Sequence, residues 1–107
     1  MTAFASFDEL EGREPAPGCR AKFVHSEHMT IANWELKADA VFPEHSHPHE
    51  QIMIMLEGEF ELTVGAETQL MRPGMTAVIP SDTIHHGRAI TNCRAMDAFH
   101  PVREDYR

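Results

Sequence analysis

Short runs of apolar and β-branched residues recur along the chain from Lys22 onward, and turn-forming residues separate them. Each run spans four to eight residues, and none shows the sustained i, i+3, i+4 apolar pattern of a helix. We predict strands over the segments KFVH, MTIANWEL, ADAVF, QIMIML, FELTV, TAVI and RAMDAF. Many short strands at regular spacing are typical of a β-sandwich or a β-barrel, so the chain is predicted to be all-β.

The N-terminal segment differs from the rest because it is polar and carries Pro15, Pro17 and Gly18, which interrupt regular structure. We therefore divide the chain into this segment, residues 1–20, which can add an edge strand, and a single domain over residues 21–107. A chain of 107 residues is long enough for one hydrophobic core and too short for two.

Charge and composition narrow the classes of partner and the compartment. The formal charge is −8 and the nine lysines and arginines are scattered, which argues against nucleic acid or an anionic membrane surface. A small anionic ligand would need local positive charge, which a metal and one arginine can supply. The N-terminus has acidic residues and no apolar run, so we expect no signal peptide. With only two cysteines, Cys19 and Cys93, we expect a reduced, cytoplasmic protein.

Three histidines and a glutamine have the spacing of one metal site. His45 and His47 lie in EHSHPHEQ, Gln51 follows, and His85 lies far downstream in IPSDTIHHG. Because side chains two apart point to the same side of a strand, we predict that the first three share one side. A second strand would bring His85 to them. Imidazole nitrogens and an amide oxygen suit one divalent transition metal, and nickel, iron, zinc and manganese all stay open.

Neighbouring residues leave alternatives for this site. Glu50 has the wrong strand parity, but a bulge after Pro48 would turn it inward. His49 fits either the rim of a pocket or a solvated loop. His86 is expected to point to the face opposite His85.

Two residues near the C-terminus are candidates for chemistry. Asp97 lies in the apolar segment RAMDAF, where burial of a carboxylate is costly unless the group is paired or functional. Arg103 fits either a functional role or surface pairing with Glu104 or Asp105. Trp34 is expected to pack in the core or an interface rather than to stack on a sugar.

The turn signals at Gly58 and Pro73-Gly74 complete a pattern that resembles the two motifs of the cupin family, and the two motifs together cover about half the chain. The first motif matches at His45, His47, Gln51 and Gly58, with Asp39 in the place of a glycine. The second matches at Gly74, Pro80 and His85, with Asp82 replacing glycine and Ala89 replacing asparagine. Gln51 stands where most cupins have glutamate. The resemblance implies a small jelly-roll barrel with a metal inside.

The stretches PEHSHPHEQIMIMLEGEFELTVGAE, IPSDTIHHGRAI and DAFHPVREDYR are similar to the KdgF family, whose members are small cupins of pectin and alginate breakdown. This resemblance implies ring opening of 4,5-unsaturated monouronates, which are small anionic sugars, to linear keto acids. The implied metal ligands are His45, His47, Gln51 and His85. The implied catalytic residues are Asp97, Phe99 and Arg103. Met53 and Met55 are expected in the pocket wall.

Two further functions and one assembly are kept as hypotheses. A cupin can bind a metal or a small acid without turnover, and a neutral histidine and glutamine set can hold the iron(II) of a dioxygenase. The run QIMIML would present Ile52, Ile54 and Leu56 on an outer face. Because small jelly rolls often cover such faces with a second copy, we predict a homodimer.

Overall fold

The computed structural model describes residues 2–107, which form two antiparallel sheets and two short 3₁₀ helices. The strands are β1 (Arg13–Ala16), β2 (Cys19–His25), β3 (Thr30–Leu36), β4 (Val41–His45), β5 (Glu50–Glu57), β6 (Phe60–Val64), β7 (Glu67–Met71), β8 (Thr76–Ile79), β9 (His85–Ala89) and β10 (Cys93–His100). The 3₁₀ helices are Phe7–Glu9 and Glu104–Tyr106. The predicted all-β jelly roll is confirmed. Within the described residues, no helix is long and apolar enough to cross a membrane.

One sheet has six strands in the order β1-β2-β3-β10-β5-β8, and the other has four in the order β4-β9-β6-β7. Their inner faces enclose one core, to which Trp34 and Met55 come from the larger sheet and Phe60 and Leu62 from the smaller. Alternation assigns each strand one inner and one outer face. On β5, for example, Gln51 and the two following odd-numbered residues are buried, whereas the even-numbered isoleucines between them are exposed.

Strand register places the inner residues of the larger sheet in rows that run across several strands. At one end the row is Cys19, Leu36 and Cys93, all buried. At the other end Thr30 pairs with Phe99, which pairs with Gln51. We call these the apolar end and the polar end of the barrel. Between them, Trp34 packs edge-on against Phe42 with ring centroids 4.9 Å apart. These two rings form an aromatic layer, and one pocket runs past it from Leu36 to the histidines.

Several strands lie outside the segments predicted from the sequence. The division between residues 20 and 21 falls inside β2, and β1, with Pro15 at its centre, pairs with β2 at the edge of the larger sheet. A proline is tolerated there because an edge strand does not need every N–H. The strands β7 and β9 were absent from the predicted set. Their sequences, ETQLM and HHGRA, have too few branched apolar residues to show strand alternation.

The two aspartates that replace motif glycines have left-handed backbones. Asp39 has a φ of 71° and Asp82 a φ of 60°. Among residues with a side chain, aspartate and asparagine accept this conformation most readily, because the short polar group can bond locally. The predicted turns at Gly58 and Gly74 also have positive φ, 82° and 89°. The glycine requirement of the motif is therefore a requirement for backbone shape that aspartate can meet.

Candidate metal centre

Three histidines converge at the polar end, between the two sheets. His45 is the last residue of β4 and pairs directly with His85, the first residue of β9. His47 lies in the loop that leads to β5. The side chains of these three residues offer ligand nitrogens that all lie within 4.8 Å of one another. The cluster can therefore hold a metal ion.

The predicted route to this convergence is wrong in detail. β4 ends at His45, so His47 is not on the same strand, and β4 already has a register irregularity between Phe42 and His45. Gln51 belongs to β5, in the other sheet. His45, His47 and Gln51 come together because a loop carries the chain from one sheet to the other. The alternation of side chains along a single strand does not bring them together.

Each histidine of the cluster is oriented by a bond to a backbone carbonyl. His45 Nδ1 lies 2.7 Å from the oxygen of Pro43, His47 Nδ1 lies 2.9 Å from that of His49, and His85 Nδ1 lies 2.8 Å from that of Thr83. A carbonyl oxygen can only accept, so each Nδ1 carries the hydrogen and each neutral ring keeps its lone pair on Nε2. Such bonds typically orient metal-binding histidines.

Burial favours the neutral form of two of these rings. It is the main cause that lowers the pKa of His47, and the charge of Arg103 adds to it. Burial also lowers the pKa of His85 to about 4. His85 Nε2 is buried and has no hydrogen-bond partner among the described residues. A buried, unprotonated nitrogen without a partner is costly unless a ligand is bound, so its environment fits a metal.

Gln51 extends the donor set. Its Oε1 lies 3.1 Å from His47 Nε2, and the residue is 8% exposed. The neighbouring Glu50 is exposed on the outer face of β5, so no bulge turns it inward. His49 lies outside the histidine cluster and contributes its carbonyl oxygen to His47. His86 is exposed, on the face opposite His85. Three imidazoles and one amide oxygen are neutral ligands that suit a divalent transition metal.

Asp97 lies on β10, and Trp34 anchors one of its oxygens. The indole Nε1–H donates to Oδ2 at 3.0 Å, whereas Oδ1 is buried and accepts no well-formed hydrogen bond from the described residues. Burial raises the pKa of this carboxyl to about 6, although Gln51, Trp34 and Arg103 act in the opposite direction. Asp97 is therefore a carboxyl group that can change its protonation state near neutral pH, a typical property of proton-transfer groups.

Phe99 and Arg103 lie beside the histidines. The Phe99 ring meets the His47 ring edge-on at 5.8 Å, and the Arg103 guanidinium carbon lies 4.7 Å from the centre of the Phe99 ring. Arg103 is 7% exposed. Its partner is Asp105, one of the two surface partners considered from the sequence, but the arginine itself is buried. The three predicted catalytic residues thus line the same pocket as the histidine cluster.

The family model for the cupin domain, which describes its sequences, matches residues 32–99, more than half of the chain. The chain belongs to the cupin family. Among curated proteins, an uncharacterized protein of Streptomyces coelicolor is 26% identical over 108 residues and covers 100% of this chain and 90% of its own length.

Solved cupin structures superpose closely on this one. KdgF from Halomonas sp. is 26% identical, with a TM-score of 0.91 and complete coverage of both chains. An RmlC-like cupin from Shewanella frigidimarina has a TM-score of 0.93 at 21% identity and covers 100% of this chain and 97% of its own. Oxalate decarboxylase from Bacillus subtilis has a TM-score of 0.81 at 22% identity, and the match covers 91% of this chain and 29% of that one. The last two show a shared fold.

Sequence reasoning missed several contributors to the pocket of this cupin. Tyr106 lines the pocket, and its ring centre lies 4.3 Å from the Arg103 guanidinium carbon. Trp34 was expected only to pack, and it is 3% exposed, but its N–H also holds Asp97. Met53 lines the pocket as expected, whereas Met55 is buried in the core. No spacing rule links these residues, because they come from different strands and from the C-terminal turn.

Proposed function

We propose that this cupin binds one divalent transition metal through His45, His47, Gln51 and His85, and that it opens 4,5-unsaturated monouronates to linear keto acids. The observation that carries the proposal is the position of Asp97. This buried carboxyl group has one oxygen anchored by Trp34 and the other without a well-formed hydrogen bond from residues 2–107, in the pocket where the histidines meet. The likeness of the whole chain to KdgF supports the substrate class.

The reaction moves one proton and breaks one bond. The C1 hydroxyl loses its proton, the bond between C1 and the ring oxygen breaks, and C4 gains a proton, so the product is an isomer of the substrate. When bound, the metal supplies Lewis-acid stabilisation of the negative charge that develops on the ring oxygen. The substrate also carries a carboxylate, which neutral metal ligands tolerate better than anionic ones.

The residues of the chain have separate roles in this proposal. Asp97 accepts the proton from the hydroxyl and delivers it to C4, a transfer worth about 10²–10⁴ in rate. Trp34 keeps the carboxyl group oriented through its 3.0 Å bond to Oδ2. Arg103 binds the substrate carboxylate, because a guanidinium matches a carboxylate in shape and charge. Phe99 forms the wall beside the sugar and excludes water.

The test is the loss of ultraviolet absorbance of an unsaturated galacturonate or its alginate-derived counterpart, corrected for spontaneous opening. We expect metal-loaded protein to accelerate the loss and metal-free protein not to. If the absorbance falls no faster with metal-loaded protein than it does spontaneously, the proposed ring opening is wrong. Binding of the sugar without turnover would then support a binding module, and oxygen consumption would support a dioxygenase. The cytoplasmic location, which the two cysteines suggest, stays a prediction.

We also propose that the outer face of the larger sheet pairs with a second copy of the chain. Register aligns an apolar row across five strands: Val24, Ile31, Ala98, Ile52 and Val78. Of these, Val78 is 63% exposed and Ile52 is 40% exposed. A second row alternates in charge, with Arg20, Glu35, Arg94 and Glu57 in register. Alternating charges are self-complementary across a two-fold axis. A monomeric mass in light scattering at micromolar concentration would contradict this pairing.

A further inference from the structure

Asp105 occupies one edge of the Arg103 guanidinium. Arg103 Nε donates to Asp105 Oδ1 at 3.0 Å, and Nη2 donates to Oδ2 at 2.7 Å, so the pair is bidentate. The Arg103 side chain is 9% exposed and that of Asp105 is 56% exposed. A pair with one buried, charged donor and two short bonds is stronger and more rigid than an ordinary surface ion pair.

The opposite end of the guanidinium keeps its donors. A guanidinium carries N–H groups along two usable edges, and a carboxylate can bind bidentately at either one. Asp105 uses the edge of Nε and Nη2, which leaves both hydrogens of Nη1 and one of Nη2 to the Tyr106 side chain and to a ligand. Arg103 lines the pocket with His47 and Asp97, and its charge lowers the pKa of both. A second carboxylate can therefore bind Arg103 without displacing Asp105.

The turn that carries Asp105 is anchored to the larger sheet. Arg103 N–H donates to Thr30 Oγ1 at 2.9 Å, and the same oxygen lies 2.8 Å from His25 Nδ1. His25 Nε2 lies 3.3 Å from the carbonyl oxygen of Tyr106. The Tyr106 ring stacks on Phe23 with centroids 4.3 Å apart. These contacts on β2 and β3 hold both ends of the turn Glu104–Tyr106 and so fix the place of Asp105 between them.

We propose that Asp105 is a positioning residue for carboxylate recognition. By holding one edge of the Arg103 guanidinium, it directs the free edge toward the substrate carboxylate and so gives the pocket its selectivity for acidic sugars. This inference rests on the proposed function. Asp105 could instead compete with the substrate carboxylate for Arg103. A competitor would weaken substrate binding, whereas a positioning residue strengthens it.

Three variants of the full-length, metal-loaded protein test the role. Asp105→Ala removes both bonds to Arg103, and Asp105→Glu restores a carboxylate one methylene further out. Glu104→Gln is the matched control, because Glu104 is exposed in the same turn and its one ion pair within residues 2–107 is with Arg107, at 3.4 Å. We expect Asp105→Ala to raise KM for an unsaturated galacturonate about tenfold with kcat nearly unchanged, since binding in both ground and transition state is weakened. Asp105→Glu should restore part of the affinity, and Glu104→Gln should match the wild type.

A binding measurement separates this inference from the proposed activity. Calorimetry with saturated galacturonate and with neutral galactose reports carboxylate selectivity without any reaction. We expect the wild type and Glu104→Gln to prefer the acid, and Asp105→Ala to lose most of that preference while it keeps its metal. A KM that is unchanged or lowered in Asp105→Ala would overturn the positioning role and leave the proposed function standing. Wild-type protein that neither opens the ring nor binds the acid would overturn both.

Discussion

The two ends of the barrel are built from the same strands and have opposite chemistry. At the apolar end, β2, β3 and β10 contribute Cys19, Leu36 and Cys93, all buried in one row. At the polar end, β3 and β10 contribute Thr30 and Phe99, next to the histidine cluster and Arg103. The aromatic layer around Trp34 lies between the two. One end closes the core, whereas at the other His85 Nε2 and Asp97 Oδ1 are buried without a hydrogen bond from the part of the chain that the structure describes.

The two ends therefore contribute differently to the stability of the fold and to the candidate site. Closing the apolar end buries surface and stabilises the fold. Leaving buried polar atoms unpaired at the polar end costs stability, and such costs are typical of sites that bind a ligand. Changes at the apolar end should therefore lower the free energy of unfolding without altering metal binding or turnover. Changes at the polar end should alter metal binding or turnover with little loss of stability.

The largest expected effect is on turnover at the polar end. Asp97→Asn keeps the shape of the side chain and can still accept from Trp34, but it cannot take up a proton. We expect kcat for an unsaturated galacturonate to fall by about 10²–10⁴, with metal content unchanged. The absorbance assay with elemental analysis on the same samples measures both. Wild-type kcat with bound metal would mean that Asp97 carries no proton.

The matching change at the apolar end is Leu36→Ala, which leaves a cavity between the two cysteines. We expect the free energy of unfolding to fall by about 2–5 kcal/mol. Because Leu36 contributes no ligand atom to the histidine cluster, although it lines the same pocket, the metal content should be that of the wild type. Denaturant unfolding gives the stability, and a loss of metal in folded Leu36→Ala would show that the two ends are coupled.

Backbone strain provides a smaller comparison, with one left-handed aspartate in each half of the barrel. Asp82 donates its N–H to the His47 carbonyl at 2.8 Å, and Asp39 donates its N–H to the Ala89 carbonyl at 2.7 Å. At each position we expect the alanine variant to be less stable than the glycine variant by about 1 kcal/mol. Thermal unfolding of the four variants measures this difference. Equal stability of alanine and glycine would mean that the positive φ values are not maintained in solution.

The smallest effect is a pH dependence at the apolar end. Burial raises the pKa of the Cys19 thiol to about 11, and Glu14 adds to the increase. The folded state then holds this proton more tightly than the unfolded state, so stability falls as pH rises above the ordinary thiol range. Between about pH 8 and pH 10, the wild type should lose about 1 kcal/mol more than Cys19→Ala. Parallel stability profiles for the two proteins would show that the thiol is not desolvated.

The sequence predicts the fold and the convergence of the three histidines better than it predicts the residues that support them. Motif spacing singles out His45, His47, Gln51 and His85, because each lies at a fixed distance from a turn in the chain. The alternation of QIMIML correctly separates the inner and outer faces of β5. The hydrogen bonds from Trp34 to Asp97 and from Arg103 to Asp105 have no such signal in the sequence. The first joins two strands 63 residues apart, and the second depends on how the C-terminal turn packs against β2 and β3.

The predicted path of the chain through the site is wrong for the same reason, because the sequence does not specify the direction of a turn. Strand parity treats residues 45 to 51 as one extended segment, but β4 ends at His45 and the next strand begins at Glu50 in the other sheet. The proline and serine residues of this loop indicate a turn, yet they do not specify its direction. Motif spacing still groups the three histidines and Gln51, because it depends on distance along the chain and not on the direction of the turn.

The central claim is that the polar end holds a metal, and elemental analysis of reconstituted protein tests it most directly. The wild type should contain about one transition-metal ion per chain. Substitution of both His47 and His85 with alanine should remove that ion, whereas Leu36→Ala should retain it. Full metal content in the double variant, or none in the reconstituted wild type, would contradict the account.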